Sequence, residues 1–352
     1  MNEVTNAVIS YWASSRKVKV SQAGWISGNA PCCIHNNETP DTRGRGGLIV
    51  GADDSLSWHC FNCNFKASYQ SGKQLNYKFR KLLSWMGMAE GDIYRLVFES
   101  IKERDKMKIL GLVIPETKIQ TEHIKFAKFL LPENSQTILQ HAELISTDKI
   151  EITEDFAKAV TYICSRKIDL SRYSLYYSPE YRNRINKRVI VPFTWNNEII
   201  GYTARLFSDS LVGAKYYSEI DGGYVFNTDT QGKDWQIVIV TEGPFDAMSI
   251  DGVAVMHSDI SQQQIDIIES LDREVIVVPD NDTAGENLIQ VALDRGWSVS
   301  FPVWSQTCKD VNEAVMKYGK VYVLKTILDG VERNRIKIKI MAKKTKRQRD
   351  DR

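Results

Sequence analysis

Four of the six cysteines and two of the five histidines fall in two short stretches, APCCIHNNETPD (30–41) and HCFNC (59–63). A structural zinc ion takes four nitrogen or sulfur ligands in a tetrahedron, commonly as two pairs, each held on one tight turn. Cys60-x-x-Cys63 is such a pair, and Cys32-x-x-His35 has the same spacing, whereas Cys33-x-His35 is too short for the usual knuckle. The expected ligands are therefore Cys32, His35, Cys60 and Cys63, with Cys33 and His59 in reserve because a modest change of register would select either. Paired cysteines are sometimes plain buried side chains, but two pairs at ligand spacing in turn-forming sequence favour zinc.

A second set is acidic. Glu242 directly follows the apolar run QIVIVT, Asp246 lies one helical turn further on, and Asp280 and Asp282 close another apolar run in PDNDTAG. One such aspartate would be read as a helix cap or turn residue. Four at matching positions are different: carboxylates brought together repel unless a cation neutralises them, and Mg²⁺ prefers hard oxygen ligands shared with substrate phosphates. The chemistry expected is phosphoryl or nucleotidyl transfer, with Glu242 as metal ligand or as general base.

The elements that must position these residues can be read from pattern. Between the cysteine pairs, a Gly/Arg loop (Arg43 to Gly47), then LIV, GADDS and LSW, read as two strands and a hairpin, the plan of a zinc ribbon. Arg43, Arg45, Trp58, Phe61, Phe65 and Lys66 mix cations with aromatics, a combination suited to phosphates and unstacked bases. Residues 73–108 read as amphipathic helix broken near Gly87, followed by a mixed, polar stretch to about 150. Thr153 is a candidate N-cap, and RVIVPFTW, EIIGYTARLF and AKYYSEI read as short strands joined by turns such as NN. From 236 apolar strands alternate with helices, which implies a mostly parallel sheet with function at the carboxyl ends of its strands. The expected organisation is α+β and multidomain: a zinc-ribbon DNA-binding domain (1–74), a helical connector (75–150), the first part of a core (151–235), an α/β domain (236–330) and a basic tail (331–352).

The net charge of +2 is unevenly spread: residues 332–352 hold ten Lys/Arg against three acids, so the first 331 residues carry about −5. The tail reads as a solvated arm or a nucleic-acid or partner contact, and its alternating RIKIKI (335–340) also suits an edge strand. No run of apolar residues is long enough to span a bilayer, and the N-terminus lacks a secretory pattern, so a cytoplasmic, non-membrane protein is expected.

VTEGPFDA (240–247) with VVPDNDTAG (277–285) resembles the TOPRIM fold of bacterial-type primases, topoisomerases and some nucleases. YRNRINKRVIVPF, GYTARLF and AKYYS before it, KDVNEAV after it and the ribbon in front are similar, in order and spacing, to the primases of bacteria and T-even-like bacteriophages. The resemblance implies a primase-type core containing an α/β TOPRIM domain. Its metal-binding acids would fall on Glu242, Asp280 and Asp282, with Asp246 in support and Mg²⁺ or Mn²⁺ as the ion. Its phosphate- and template-binding positions would fall on Arg188 (with Arg184 as rival), Arg205, Lys215 and Lys309, with Asp310 and Asn312 nearby. His35 stands where the related primases more often carry cysteine. The implied activity is DNA-dependent synthesis of short RNA primers on single-stranded DNA from ribonucleoside triphosphates. A separate replicative helicase and a single-stranded-DNA-binding protein are the implied partners, since no GxxxxGK[ST] motif supplies a motor here. A TOPRIM nuclease, and a non-catalytic zinc/TOPRIM recombination protein, are the rival readings.

Overall fold

The computed structural model describes residues 1–352 except 16, 37, 112–123, 148, 180–184, 208–213, 233–234, 257–259, 281–282, 305–307 and 351–352. The chain forms two compact units, Met1–Lys118 and Ile119–Arg352.

The first unit contains α1 (Glu3–Ser15), β1 (Lys19–Val20), β2 (Ile26–Gly28), a 3₁₀ turn (Cys33–His35), β3 (Gly46–Val50), β4 (Leu56–Cys60), β5 (Lys66–Tyr69), α2 (Tyr77–Met86) and α3 (Glu90–Ile109). Its five strands form one antiparallel sheet in sequence order, with Leu48 opposite Trp58. The ribbon does not stand alone. The Trp12 indole donates to the carbonyl of Ile26 at 2.9 Å and meets Trp58 edge-on at 5.0 Å. Helix α2 starts at Asn76, whose side chain accepts from the N–H of Phe79, and stops at Gly87 in the left-handed region at φ 96°, where glycine costs least. Its buried stripe, Phe79, Leu82, Leu83 and Met86, joins Trp12, Leu48, Trp58, Tyr69 and Leu96 in one core. Each such side chain contributes about 1.5–3 kcal/mol of burial. The connector expected from residue 75 is thus corrected up to Ile109: an apolar stripe of this spacing needs a partner, and the ribbon supplies it.

The second unit opens with β6 (Gln136–Thr137), α4 (Ile138–Ser146), α5 (Glu154–Ser165), β7 (Tyr176–Tyr177), β8 (Arg188–Trp195), β9 (Glu198–Leu206) and β10 (Tyr216–Ile220). These strands form an antiparallel sheet in the order β10-β9-β8-β7-β6. Asn196 and Asn197, both at positive φ (53° and 63°), make the tight β8–β9 turn, the backbone an Asn pair tolerates best. Because β6 and α4 belong to this sheet and its edge, the expected boundary at 150 moves upstream of them.

The remainder is β11 (Ile237–Thr241), α6 (Pro244–Ile250), β12 (Val253–Ala254), α7 (Gln262–Ser270), β13 (Glu274–Val277), α8 (Thr283–Arg295), β14 (Ser298–Ser300), α9 (Val311–Tyr318), α10 (Lys320–Asp329), β15 (Val331–Glu332) and α11 (Arg335–Asp350). The sheet order is β12-β11-β13-β14-β15, parallel except for β15. Alternation with period two covers both faces. Val238, Val240, Val275 and Val277 pack with Ile268 and Leu288, whereas Ile239, Ile276 and Val278 pack with Val311, Val315 and Val323. The RIKIKI edge strand is also corrected: the segment is the first turns of α11, which buries Ile338 beside Leu288 and leaves Ile336 and Ile340 exposed. Helical spacing carries one isoleucine inward, and no strand partner is needed. Among the described residues, no helix is long and apolar enough to cross a membrane.

Candidate functional sites

In the first unit the 3₁₀ turn after Ala30-Pro31 brings Cys32 and Cys33 against Cys60, at the end of β4, and Cys63, in the turn that follows. The sulfurs of Cys33 and Cys60 are 3.5 Å apart, as are those of Cys32 and Cys63, and all four lie within 4.8 Å of one another. A disulfide sulfur pair stands at about 2.0 Å, so these are free thiols. The edge of a ZnS₄ tetrahedron is about 3.8 Å for Zn–S bonds of about 2.3 Å, and the cluster fits it. N–H groups support the sulfurs: Asn62 donates its backbone N–H to Cys60 Sγ (3.4 Å) and its amide to Cys33 Sγ (3.3 Å). Burial pushes the Cys33 thiol up to about 11 and the Cys32 thiol further, while backbone N–H donors outweigh burial at Cys60 and lower it.

Of the expected ligands the structure gathers Cys32, Cys60 and Cys63, joins Cys33 to them and leaves His35 outside the cluster. The tight turn carries His35 one step past the metal side, and its exposed ring stacks flat on Trp85 at 4.7 Å. His59 is likewise outside, its Nε2 bonded to Asn64 Oδ1 at 3.1 Å. Asp41, which no motif marked, organises the adjoining loop by accepting the N–H groups of Ala30, Arg43 and Arg45 and the Arg45 guanidinium. Arg45 is thereby tied down, while Arg43 and Phe61 are exposed.

In the second unit an open cleft of about 690 Å³ lies at the carboxyl ends of the parallel strands. Glu242 follows β11 and Asp280 follows β13, and the N–H of Asp280 donates to Glu242 Oε1 at 3.2 Å, which holds the two acids side by side. Gly285 makes this possible. A Cβ there would sit 2.2 Å from the carbonyl oxygen of Asp280, so only glycine lets the first turn of α8 press so close. Asp246, in the first turn of α6, accepts from the N–H of Asn312 at 2.8 Å, and Asp310 caps α9 by accepting from the N–H of Glu313 at 2.7 Å. Arg205, at the end of β9, Lys215, before β10, and Lys309 line the same cleft. Arg205 donates to the Tyr162 hydroxyl at 2.9 Å and lies over the Tyr216 ring. Asp282 and Arg184 lie outside the described residues.

Arg188 departs from expectation. Its guanidinium is buried and donates to the carbonyls of Ala204 (3.0 Å), Lys215 (3.0 Å) and Ala214 (2.6 Å), so it fastens strands and does not face the cleft. Sequence reasoning missed Arg166, Thr203, Tyr216 and Ser218, which also line the cleft. Arg166 sits in no motif and merely ends a helix, while Thr203, Tyr216 and Ser218 lie inside the GYTARLF and AKYYS stretches but were not singled out beside Arg205 and Lys215.

Burial, and then the nearby Asp310, raise Asp246 from 3.8 to about 7. The folded value lies above the unfolded one, so the native state holds the extra proton and stability falls as pH rises through that window. Asp246→Asn keeps an acceptor for the Asn312 N–H and removes the buried charge. It is expected to melt above the native protein at pH 8, with the gap smaller at pH 5, in thermal denaturation followed by circular dichroism. Equal differences at the two pH values would contradict this.

Residues 239–315 match the Toprim-like family model. They span β11 to α9 and contain Glu242, Asp246, Asp280 and Asp310, so the acidic wall of the cleft belongs to a Toprim-like domain. No curated protein matches the chain. Among solved structures, the DnaG primase catalytic domain bound to ssDNA is 18% identical over 55% of this chain and 78% of that one, with a TM-score of 0.42. The RNA polymerase domain of Mycobacterium tuberculosis primase DnaG, in complex with a double-stranded DNA oligomer with an overhang, is 17% identical over 58% and 83%, with a TM-score of 0.46. A DNA primase domain from Pseudomonas aeruginosa is 18% identical over 59% and 66%, with a TM-score of 0.37.

Proposed function

We propose that this chain is a DNA-dependent primase that makes short RNA primers on single-stranded DNA. The observation that carries the reading is the meeting, in one cleft, of the Toprim-like acids Glu242 and Asp280 with Arg205 and Lys215 from the antiparallel sheet. Acids alone would suit any metal-dependent phosphate chemistry. A wall of cations opposite them suits a substrate carrying several phosphates, whose charge exceeds what the metal neutralises.

Glu242 and Asp280, with Asp282 beside them in sequence, would hold Mg²⁺ or Mn²⁺, which lowers the charge of the phosphates and favours ionisation of a bound hydroxyl. In the reaction the 3′-oxygen of one ribonucleotide bonds to the α-phosphorus of the next, the bond from that phosphorus to the bridging oxygen breaks, and pyrophosphate leaves with the electron pair. The proton of the 3′-hydroxyl passes by way of the carboxylates to solvent. Arg205 and Lys215 hold the triphosphate and balance the charge that develops on it. The Cys32/Cys33/Cys60/Cys63 site would hold structural zinc and keep the ribbon, with exposed Arg43 and Phe61, in shape for single-stranded template. A replicative helicase and a single-stranded-DNA-binding protein are the proposed partners in the bacterial cytoplasm, the host's if the protein is viral.

The test is incubation of the full chain with single-stranded DNA of random sequence, four ribonucleotides (one labelled) and Mg²⁺. Short labelled RNA is expected, dependent on DNA and abolished by chelation of the metal. Degraded DNA without RNA would move the reading to a nuclease. Neither product, with or without a helicase, would leave a binding protein.

A further inference from the structure

We propose that Arg166 is a phosphate-binding residue of the cleft and that Asn312 is the residue that positions it. The inference deepens the primase reading and rests on it for the identity of the ligand, a nucleoside triphosphate.

Arg166 follows the last turn of α5, outside the Toprim-like segment, yet it lines the cleft with Arg205 and Lys309. Its Nη1 donates to Asn312 Oδ1 at 2.7 Å. Asn312 is 1% exposed and spends its whole amide on fixing this corner: its Nδ2 donates to the Arg166 carbonyl at 3.0 Å and to Ser249 Oγ at 2.7 Å. The guanidinium also rests over the rings of Tyr162 (5.2 Å) and Phe245 (5.9 Å). Side chain and backbone of Arg166 are thus held by the same amide, and two aromatic faces set the plane of the fork.

A guanidinium has five N–H donors. One goes to Asn312, and among the described residues no hydrogen bond or ion pair joins the others to Asp246 or Asp310, the acids closest in charge. A half-buried cation fixed in orientation, with donors in hand and on the wall of a cleft that also holds Arg205 and Lys309, suits a dianionic oxygen cluster. A lysine at 166 would keep the charge, but it would lose the fork and the grip of Asn312.

The test uses the full chain, Mg²⁺ and inorganic tripolyphosphate, a probe with neither base nor sugar, in titration calorimetry. Arg166→Lys and Arg166→Gln are expected to weaken tripolyphosphate binding about tenfold or more, the usual effect of losing a charge-assisted forked contact. The KM for ribonucleotide should rise by a similar factor while kcat stays within about twofold. Unchanged tripolyphosphate affinity, with or without a lower melting temperature, would overturn the inference, since a purely structural clamp alters stability and leaves the anion site alone. If the native protein makes no RNA, the primase reading fails, but the calorimetry still decides whether Arg166 binds phosphate.

Discussion

Glu242→Gln is expected to reduce primer synthesis by about a thousandfold or more, the scale of losing a group that stabilises transition-state charge. The substitution is nearly isosteric. Its amide oxygen still accepts the N–H of Asp280, so the loop after β13 keeps its anchor and the melting temperature should stay close to that of the native protein. What disappears is one negative charge beside Asp280, and with it a hard ligand for the divalent ion. Two measurements separate this from a folding defect: Mg²⁺ titration of activity should shift to higher concentration for any residual product, and thermal denaturation should not change. Residual activity within tenfold of the native protein would remove Glu242 from the centre of the chemistry and, with it, the proposed metal site.

The second large effect concerns the first unit. Cys33→Ser is expected to abolish stoichiometric zinc, whereas His35→Ala should retain one zinc per chain, as measured by elemental analysis of protein dialysed against a weak chelator. Metal binding worth about 10–16 kcal/mol in small zinc modules is a large share of what such a ribbon can gain from folding. Yet the cysteines share one apolar core with α1, α2 and α3, in which Trp12, Leu48, Phe79 and Leu83 are fully buried and add to what a metal would supply. Loss of zinc should therefore open the knuckles around residues 30–45 and 60–65 to protease while leaving much of the helical signal intact. Zinc retained in Cys33→Ser and lost in His35→Ala would return the ligand set to the one that spacing alone suggests.

That reversal shows where sequence stops being legible. Pair spacing located the cysteine cluster, but the choice between Cys33 and His35 depends on the pitch of a 3₁₀ turn, which spacing does not encode. In the Toprim-like domain the alternation of apolar runs and helices was readable because both sheet faces are covered, so the strands are continuously apolar and Glu242 and Asp280 stand out just after two of them. Arg188 was misread since an arginine opening a strand normally faces water. Here three backbone carbonyls, those of Ala204, Ala214 and Lys215, accept its guanidinium and draw it inward. Arg166 was harder still, because a lone cation after a helix carries no pattern until folding brings Asn312 from 146 positions away against it. The RIKIKI segment suits either period over so few residues, and only the apolar seat beside Leu288 selects the helix.

The guanidinium of Arg188 also acts as a spacer. It holds the carbonyls of Ala204, Ala214 and Lys215 together, and the Leu206 N–H donates to the Lys215 carbonyl beside them at 3.0 Å, so the end of β9 and the approach to β10 are stapled to each other. One buried cation thus sets the spacing between the end of β9 and the start of β10, and with it the places of Arg205 and Lys215 on the cleft wall.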